Sequence, residues 1–367
     1  MPKLPLAIAV LLSVFSSVAA ASPPTAENAM DGIFAAFQTR PLVGIGEHHR
    51  VAQELDFYSA LVRDPRFAKD VGNVVVEFGG AAHQDIIDRY VTGEEVPYTE
   101  LRKIWTDTVG WVPSIPSNGY VNFYAQVREI NLTLPPRNRI RVWLGDPKID
   151  WASIQNHAEW QALNLTRDSH PADLIKREIL ARGKKALIIY GDGHFFPAVT
   201  GSAGEKLEAA GFPISWRALI DRDYPGALFV ASFYGGSPQK SCLDDFEKNA
   251  ETWPVPALVT SFRGSTLADN LRRCNPVRAE DASFTPTLTD EEKKQIVTTW
   301  FGAAADPDAL IYLGPAAQLT TAPYLQDYFF DIAYFRELAR HYLLQTGQVL
   351  PQPKIADNPM SPKFRRR

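Results

Sequence analysis

Ionisable side chains follow four apolar runs in this sequence of 367 residues, at the point where each run ends. Any one of them could be structural, but core packing does not require four apolar runs to end in this way. Ionisable groups that gather at one place are typical of functional sites. Because the carboxyl ends of parallel strands meet at one edge of a sheet, we expect a shared site there. Its candidate residues are Glu47, His48, His49, Glu77, Asp146, Asp192 and His194.

Clustered carboxylates and imidazoles suit two kinds of chemistry. Two histidines with one or two carboxylates can hold a divalent transition metal with open positions for water. Alternatively, a histidine that a neighbouring glutamate keeps basic can deprotonate water or a substrate hydroxyl. Taken alone, the stretch Glu47-His48-His49 fits equally well a helix cap followed by solvated histidines. Its repetition at the later strand ends favours the functional interpretation.

The elements that would position these residues alternate along the chain. Continuous apolar, β-branched runs are typical of strands buried on both faces, and helical spacing separates them. We predict strands at 41–45, 74–80, 139–147, 185–194, 227–234, 257–262 and 310–313, and helices at 26–39, 53–61, 83–91 and 173–182. This order indicates an α/β fold with a mostly parallel sheet flanked by helices, with the site at the carboxyl-terminal ends of the strands.

The ends of the chain differ from this α/β core, which we assign to residues 22–283. Residues 1–21 have the pattern of a secretory signal peptide, with one lysine, the apolar run 4–15 and small residues for cleavage near Ala20 or Ala21. We therefore expect a periplasmic or secreted protein without a membrane span after signal cleavage. Residues 284–350 form a predicted helical C-terminal extension that packs on the core, opened by a capping box at Thr289 and Glu292. The basic, proline-rich tail 351–367 is predicted to be disordered.

Charge and cysteine content limit the partners of the protein. The formal charge is −4 and the only basic block is the terminal 363–367, which excludes nucleic acid as an expected partner. In an oxidising compartment we expect Cys242 and Cys274 to form a disulfide, with two buried free thiols as the alternative.

Residues 105–124 are rich in Trp, Pro, Gly and Asn, with no clear period. Long irregular segments inside a compact domain often form lids or binding loops. The alternative is a surface excursion that its own aromatic side chains pack.

The motifs resemble those of the Tiki/ChaN/erythromycin-esterase superfamily. Gly46-Glu47-His48-His49 fits the Gly-Glu-x-His opening of that superfamily, Val76-Glu77 looks like its second-strand glutamate, and Gly193-His194 resembles its later strand-end histidine. Arg167-Asp168 is similar to the Arg-Asp helix start of the erythromycin esterases. The lactone-opening esterases have their first histidine one residue later, where this chain has Arg50, so the opening is closer to the peptidase and haem-binding branches.

The resemblance implies an α/β fold with the site at the strand ends, and it allows several activities. The superfamily includes esterases that open macrolide lactones, metal-dependent peptidases and haem-binding lipoproteins. Carried over to this chain, it implies His49 as general base or ligand, Glu47 and Glu77 as its carboxylate partners and His194 as the second imidazole. Arg167 would be a polar site residue or a structural anchor, and His48, Asp146 and Asp192 are secondary candidates.

We therefore expect an exported hydrolase that cleaves an ester or amide bond of a small-molecule or peptide substrate with water activated by His and Glu. His49, Glu47, Glu77 and His194 are the candidate catalytic residues and also the candidate metal ligands. The cofactor is open, with a divalent transition metal expected before haem. The alternatives are a haem- or iron-binding protein of the ChaN type, in which segment 105–124 forms a wall, and a non-catalytic binding descendant of the fold.

Overall fold

The computed structural model describes residues 25–110, 112–235, 240–274, 288–352 and 354. The predicted signal peptide, the side chain of Cys242 and the predicted tail beyond residue 354 lie outside this part. Cys274 is buried at the end of a helix, and its pairing with Cys242 stays a prediction.

One sheet of eight strands forms the centre of the described residues, in the order β1-β7-β8-β6-β2-β5-β3-β4. Its strands are β1 Thr25–Asn28, β2 Leu42–Glu47, β3 Asn73–Gly80, β4 Arg141–Asp146, β5 Ala186–Gly191, β6 Leu228–Phe233, β7 Ala257–Thr260 and β8 Ala309–Tyr312. The six strands from β8 to β4 in this order pair in parallel, and β7 pairs antiparallel with both β1 and β8. The predicted mostly parallel sheet is thus confirmed.

Helices flank the sheet and close its two faces. They are α1 Ala29–Thr39, α2 Ala52–Arg63, α3 Gln84–Val91, α4 Tyr98–Leu101, α5 Lys103–Thr106, α6 Asn118–Thr133, α7 His157–Asn164, α8 Ser169–Glu178, α9 Gly201–Ala209, α10 Trp216–Asp223, α11 Lys240–Ala250, α12 Thr266–Cys274, α13 Asp290–Phe301, α14 Asp327–Phe330 and α15 Ile332–Thr346. Among the described helices, none combines the length and the apolar composition that crossing a membrane requires.

Alternate residues of the central strands enter two separate cores. Val74 and Val76 of β3 belong to a core on one face of the sheet, whereas Val75 belongs to the core on the other face. Leu187 and Ile188 of β5 divide in the same way. Because both faces are covered, these strands need apolar residues at every position, which explains the continuous runs in the sequence.

Several of the predicted helices have different bounds in the structure, and the predicted helix 173–182 is α8, Ser169–Glu178. Strand β1 occupies the start of the predicted helix 26–39, and α1 begins only at Ala29, where Asn28 accepts hydrogen bonds from the first turn. Within the predicted helical extension 284–350, α14 and α15 are separated at Asp331, whose side chain caps α15. The predicted capping box is confirmed, since Glu292 N donates to Thr289 and Thr289 N donates to Glu292.

The segment 105–124 is irregular only between α5 and α6. From Asn118 onwards it is helical, because Tyr120, Phe123 and Tyr124 lie on one buried face of α6. The predicted long irregular segment is therefore shorter than expected, and Val109, Val112 and Ile115 of its described part are buried. Strand β8, from the C-terminal part 284–350, pairs with β6 and β7 and so joins that part to the sheet of the core.

Candidate functional site

The carboxyl ends of β2, β5, β3 and β4 lie side by side and carry the candidate residues. Glu47 at the end of β2 pairs with Gly191 at the end of β5, and β5 in turn pairs with β3. A Cβ atom at Gly191 would lie 3.0 Å from Cε1 of His49 and 3.3 Å from Oε2 of Glu77. The absence of a side chain at Gly191 therefore lets the groups from β2 and β3 approach each other.

Glu47 holds the imidazole of His49 from the buried side. Nδ1 of His49 lies 2.7 Å from Oε1 of Glu47, and the Tyr120 hydroxyl donates to the same oxygen at 2.7 Å. Burial lowers the pKa of His49, but the hydrogen bond to Glu47 and the charges of Glu47 and Glu77 outweigh it and raise the pKa to about 9. Since Glu47 engages Nδ1, Nε2 is the nitrogen left to act on another molecule.

Glu77 is the most heavily engaged carboxylate of the site. Oε2 accepts a hydrogen bond from Gly191 N at 2.6 Å, and Oε1 accepts one from Nη2 of Arg167. Burial raises the pKa of Glu77, but the charges of His194 and Arg167 reverse this effect and hold the pKa well below its usual range. Glu77 is thus ionised and fixed in place.

Arg167 joins Glu77 to Asp146 within the site. Nε of Arg167 donates to Oδ1 of Asp146 at 3.0 Å, and Val109 N donates to the other oxygen. Burial raises the pKa of Asp146. The planar guanidinium binds the two carboxylates through different nitrogens, a geometry that suits Arg better than Lys.

His194 lies behind Glu77 rather than in the cavity. Its Nδ1 is 2.9 Å from Oδ1 of Asp168, and its Nε2 is 3.3 Å from Oε1 of Glu77. Burial lowers the pKa of His194, and the charges of Glu77 and Asp168 raise it by more, to about 9. Asp168 also accepts from Trp216 N at 2.8 Å, so this pair anchors Glu77 to α10.

His48 points away from His49 into a separate group. Its Nδ1 lies 2.8 Å from Oε1 of Glu54, and its Nε2 lies 3.2 Å from Oδ2 of Asp192. The hydrogen bonds with Asp192 and Glu54 raise the pKa of His48 to about 10. His48 and Asp192 thus brace the turns after β2 and β5 against each other.

A cavity of about 420 Å³, including its open mouth, lies above the ends of β2 and β3. Glu47, His49, Glu77 and Arg167 provide its charged side, and the segment between α5 and α6 provides much of its wall. The wall residues are Phe78, Trp105, Thr108, Gly110, Ser114, Ile115 and Tyr120. Of the two interpretations of segment 105–124, the one in which it faces the site agrees with this geometry.

Glu47, His49 and Glu77 also meet the first requirement of a metal site. One ligand atom from each lies within 4.8 Å of the other two. Carboxylate and imidazole ligands of this kind suit a divalent transition metal. However, both oxygens of Glu77 already accept hydrogen bonds, one of them from the Arg167 cation. The donor types fit a metal, whereas the positive charge beside Glu77 opposes the binding of a second cation.

The predicted candidates therefore separate into two sets. Glu47, His49, Glu77 and Arg167 line the cavity, whereas His194, Asp146, His48 and Asp192 are not among its lining residues. His194 lies behind Glu77, outside the described lining of the cavity, and its role as the second imidazole stays a prediction.

Sequence reasoning missed Tyr120, Asp168 and Glu54. For Glu54 a signal existed, because it lies on the buried face of α2 beside Leu55 and Tyr58, where an acid needs a partner. The signal for Asp168 is its place next to Arg167 in the Arg-Asp motif. Nothing in the local pattern marks the hydroxyl of Tyr120.

No family model and no curated protein matches the chain. A solved structure of a Bacillus cereus protein is similar over 81% of this chain and 93% of its own, with 9% identity and a TM-score of 0.50. The type III effector HopBA1 covers 60% of this chain and 91% of its own, with 15% identity and a TM-score of 0.36. The haem-binding ChaN of Campylobacter jejuni covers 58% of this chain and 88% of its own, with 10% identity and a TM-score of 0.31. The likeness to the Bacillus cereus protein shows the fold alone, and function has to be argued from the site.

Proposed function

We propose that this chain is a hydrolase that cleaves an ester or amide bond with water activated by His49. The observation that carries the proposal is the Glu47–His49 pair at the cavity, in which Nδ1 is 2.7 Å from the carboxylate and Nε2 is left for water. A carboxylate that orients an imidazole in this way is a recurring arrangement of general bases. The motif resemblance to the Tiki/ChaN/erythromycin-esterase superfamily supports the same chemistry.

The reaction would use groups that already line the cavity. The neutral imidazole of His49 takes a proton from water at Nε2 while the water oxygen bonds to the carbonyl carbon. Arg167 also lines the cavity, and its guanidinium would stabilise the negative charge that develops on the carbonyl oxygen. The protonated His49 then gives its proton to the leaving oxygen or nitrogen as the scissile bond breaks.

The test is hydrolysis of a panel of uncharged esters, lactones and peptides by the purified chain and by His49→Ala. We expect the variant to lose activity by about a thousandfold, in the range that a general base contributes. His157→Ala is the matched control, because His157 is exposed and binds the carbonyl oxygen of Leu344 instead of a cavity group. The proposal fails if the chain hydrolyses none of the panel or if His49→Ala retains full activity.

Metal assistance is a second form of the same proposal, favoured by the three donors within 4.8 Å of one another. In that form Glu47, His49 and Glu77 would hold a divalent cation, which would supply a more acidic bound water. Elemental analysis of untagged protein separates the two forms. We expect less than one equivalent of transition metal and no loss of activity with a chelator. If the protein instead holds stoichiometric metal, and Glu77→Gln removes it, the metal-assisted form is correct and His49 is a metal ligand.

The same preparation tests haem or iron binding, the alternative that the superfamily includes. A Soret band in the visible spectrum of the protein as purified would favour haem binding and count against hydrolysis as the main function.

We also propose that the protein is exported, on the basis of the signal-peptide pattern in residues 1–21. Mass spectrometry of the mature chain should find its N-terminus near Ala21 and a peptide in which Cys242 is linked to Cys274. A chain that keeps Met1 in an extracytoplasmic fraction, or that carries both thiols reduced there, would contradict this.

A further inference from the structure

Arg50, the residue after His49, has a backbone conformation that its side-chain type disfavours. Its φ is 68°, and Ser261 is the other non-glycine residue with a positive φ among the described positions. In this left-handed region the Cβ of an L-residue lies close to the following carbonyl oxygen, so the conformation persists only where other contacts hold it. The structure around Arg50 must therefore provide those contacts.

The contacts come from residues 319–325, which we call the strap. Nη2 of Arg50 donates to the carbonyl oxygen of Ala322 at 2.7 Å, and Ala322 N donates to the carbonyl oxygen of Arg50 at 2.6 Å. The guanidinium lies over the ring of Tyr324, 3.4 Å from its centroid, in a cation–π contact. Val51, the next residue, forms an antiparallel bridge with Thr321. The strap thus binds both the backbone and the side chain of Arg50.

The strap also binds the opposite wall of the cavity. Tyr324 forms an antiparallel bridge with Ser117, and Leu325 N donates to the carbonyl oxygen of Pro116 at 2.8 Å. Pro116 follows Ser114 and Ile115, which line the cavity. One segment therefore connects the turn that carries His49 to the wall that faces it.

We propose that Arg50 is a positioning residue, which ties the turn after β2 to the strap and so sets the place of the His49 imidazole across the cavity. This inference rests on the proposed function of His49 as general base. Arg50 itself is not among the residues that line the cavity, so it acts on His49 through the backbone that links the two residues. A small displacement of a catalytic group is enough to reduce the rate strongly.

Three variants of Arg50 separate the effect of its side-chain contacts from the effect of its backbone strain. Glycine adopts a positive φ freely, so Arg50→Gly removes the side-chain contacts without strain, whereas Arg50→Ala removes the contacts and keeps the strain. We expect Arg50→Gly to keep its unfolding temperature but to lose about tenfold to a hundredfold in kcat with little change in KM. Arg50→Ala should lose both stability and kcat, and Arg50→Lys should recover part of kcat because it keeps the cation over Tyr324.

Ser261→Gly is the matched control, because it relieves the same kind of backbone strain at the end of β7, with φ 55°. It should leave kcat unchanged. A readout without substrate is the NMR signal of the His49 imidazole, assigned through His49→Ala. The signal should shift in Arg50→Gly and stay in place in Ser261→Gly.

The outcomes distinguish the two proposals. If the chain hydrolyses nothing, or if His49→Ala remains fully active, the proposed function fails and the imidazole signal alone decides the role of Arg50. If His49→Ala is inactive while Arg50→Gly keeps kcat, the positioning role is wrong. An imidazole signal that stays unchanged in Arg50→Gly also overturns it.

Discussion

His49 is the residue on which the proposed hydrolysis depends, and its protonation state sets the pH range in which it can accept a proton. Its pKa is raised to about 9 in the folded protein, so the basic form becomes populated only as the pH rises through that value. We expect kcat/KM to rise from neutral pH and to level off above pH 9.

Glu47→Gln tests the cause of this raised pKa. The amide keeps the shape of the side chain but removes the charge that favours the imidazolium, so the pKa of His49 should fall towards its ordinary value of about 6.5. The rising limb of the pH–rate profile should move to lower pH by at least one unit, although the maximal rate should fall as the orienting bond weakens. An unmoved limb in the variant would mean that another group titrates.

Arg167 gives a second prediction at this scale, on stability. Its removal in Arg167→Met leaves the buried carboxylates of Glu77 and Asp146 without their shared cation. The loss of one partner from a buried ionic group costs about 3–5 kcal/mol, so we expect a large drop in the free energy of unfolding by urea.

Arg66→Met is the matched control for this variant. Arg66 bonds Asp31 and Asp64 at the surface, and exposed pairs contribute about 0–1 kcal/mol. Equal losses from Arg66→Met and Arg167→Met would show that the buried network does not hold the site.

The contact between the turns after β2 and β5 gives a prediction at the scale of elements. A Cβ atom at Gly46 would lie 1.7 Å from Oδ1 of Asp192, the residue that binds His48. Gly46→Ala must displace the Asp192 side chain from its place beside His48, and we expect a loss of about 1–3 kcal/mol, as in other overpacked sites. Gly193→Ala, in the turn after β5, is the control. A Cβ atom at Gly193 meets no atom within 4 Å, so this variant should change stability by less than about 0.5 kcal/mol. Urea unfolding of the two variants measures the difference, and similar midpoints would contradict the close approach.

The elements also show where sequence reasoning succeeds and where it stops. Strands β2, β3 and β5 were predictable because they are buried on both faces and so need continuous apolar runs. Strand β1 has four residues, mostly exposed, and carries no such run, so its pairing with β7 decides its structure.

In the candidate site, the sequence predicts only the residues that follow from the ends of the strands. Glu47, His49 and Glu77 follow from the strand ends, since parallel strands bring them to one edge of the sheet. Tyr120 reaches Glu47 from a helix 73 residues further along the chain, and His194 turns towards Asp168 behind Glu77. These orientations depend on tertiary packing, which local pattern does not contain.

At the scale of the whole molecule, His341 makes stability depend on pH. Its ring stacks on Trp151 with 3.9 Å between centroids, and burial lowers its pKa to about 3. In the unfolded chain His341 takes up a proton below about pH 6.5, whereas in the folded chain it does so only near pH 3. Acidification therefore favours unfolding.

We expect this histidine alone to remove about 2 kcal/mol of stability between pH 7 and pH 5. His341→Phe keeps the stack on Trp151 and removes the titration, so its free energy of unfolding by urea should change less over the same interval. Parallel losses in the two proteins would assign the pH dependence elsewhere.

The strap determines when, during synthesis of the chain, the candidate site can be completed. It joins Arg50 to Ala322, residues separated by 272 positions, and β8 enters the sheet from the same late part of the chain. A chain leaving the ribosome exposes His49 long before residues 319–325 emerge. Contacts of such sequence separation form late and slowly. The nascent chain therefore carries the candidate general base without its final placement, and the proposed activity would begin only after the strap has emerged.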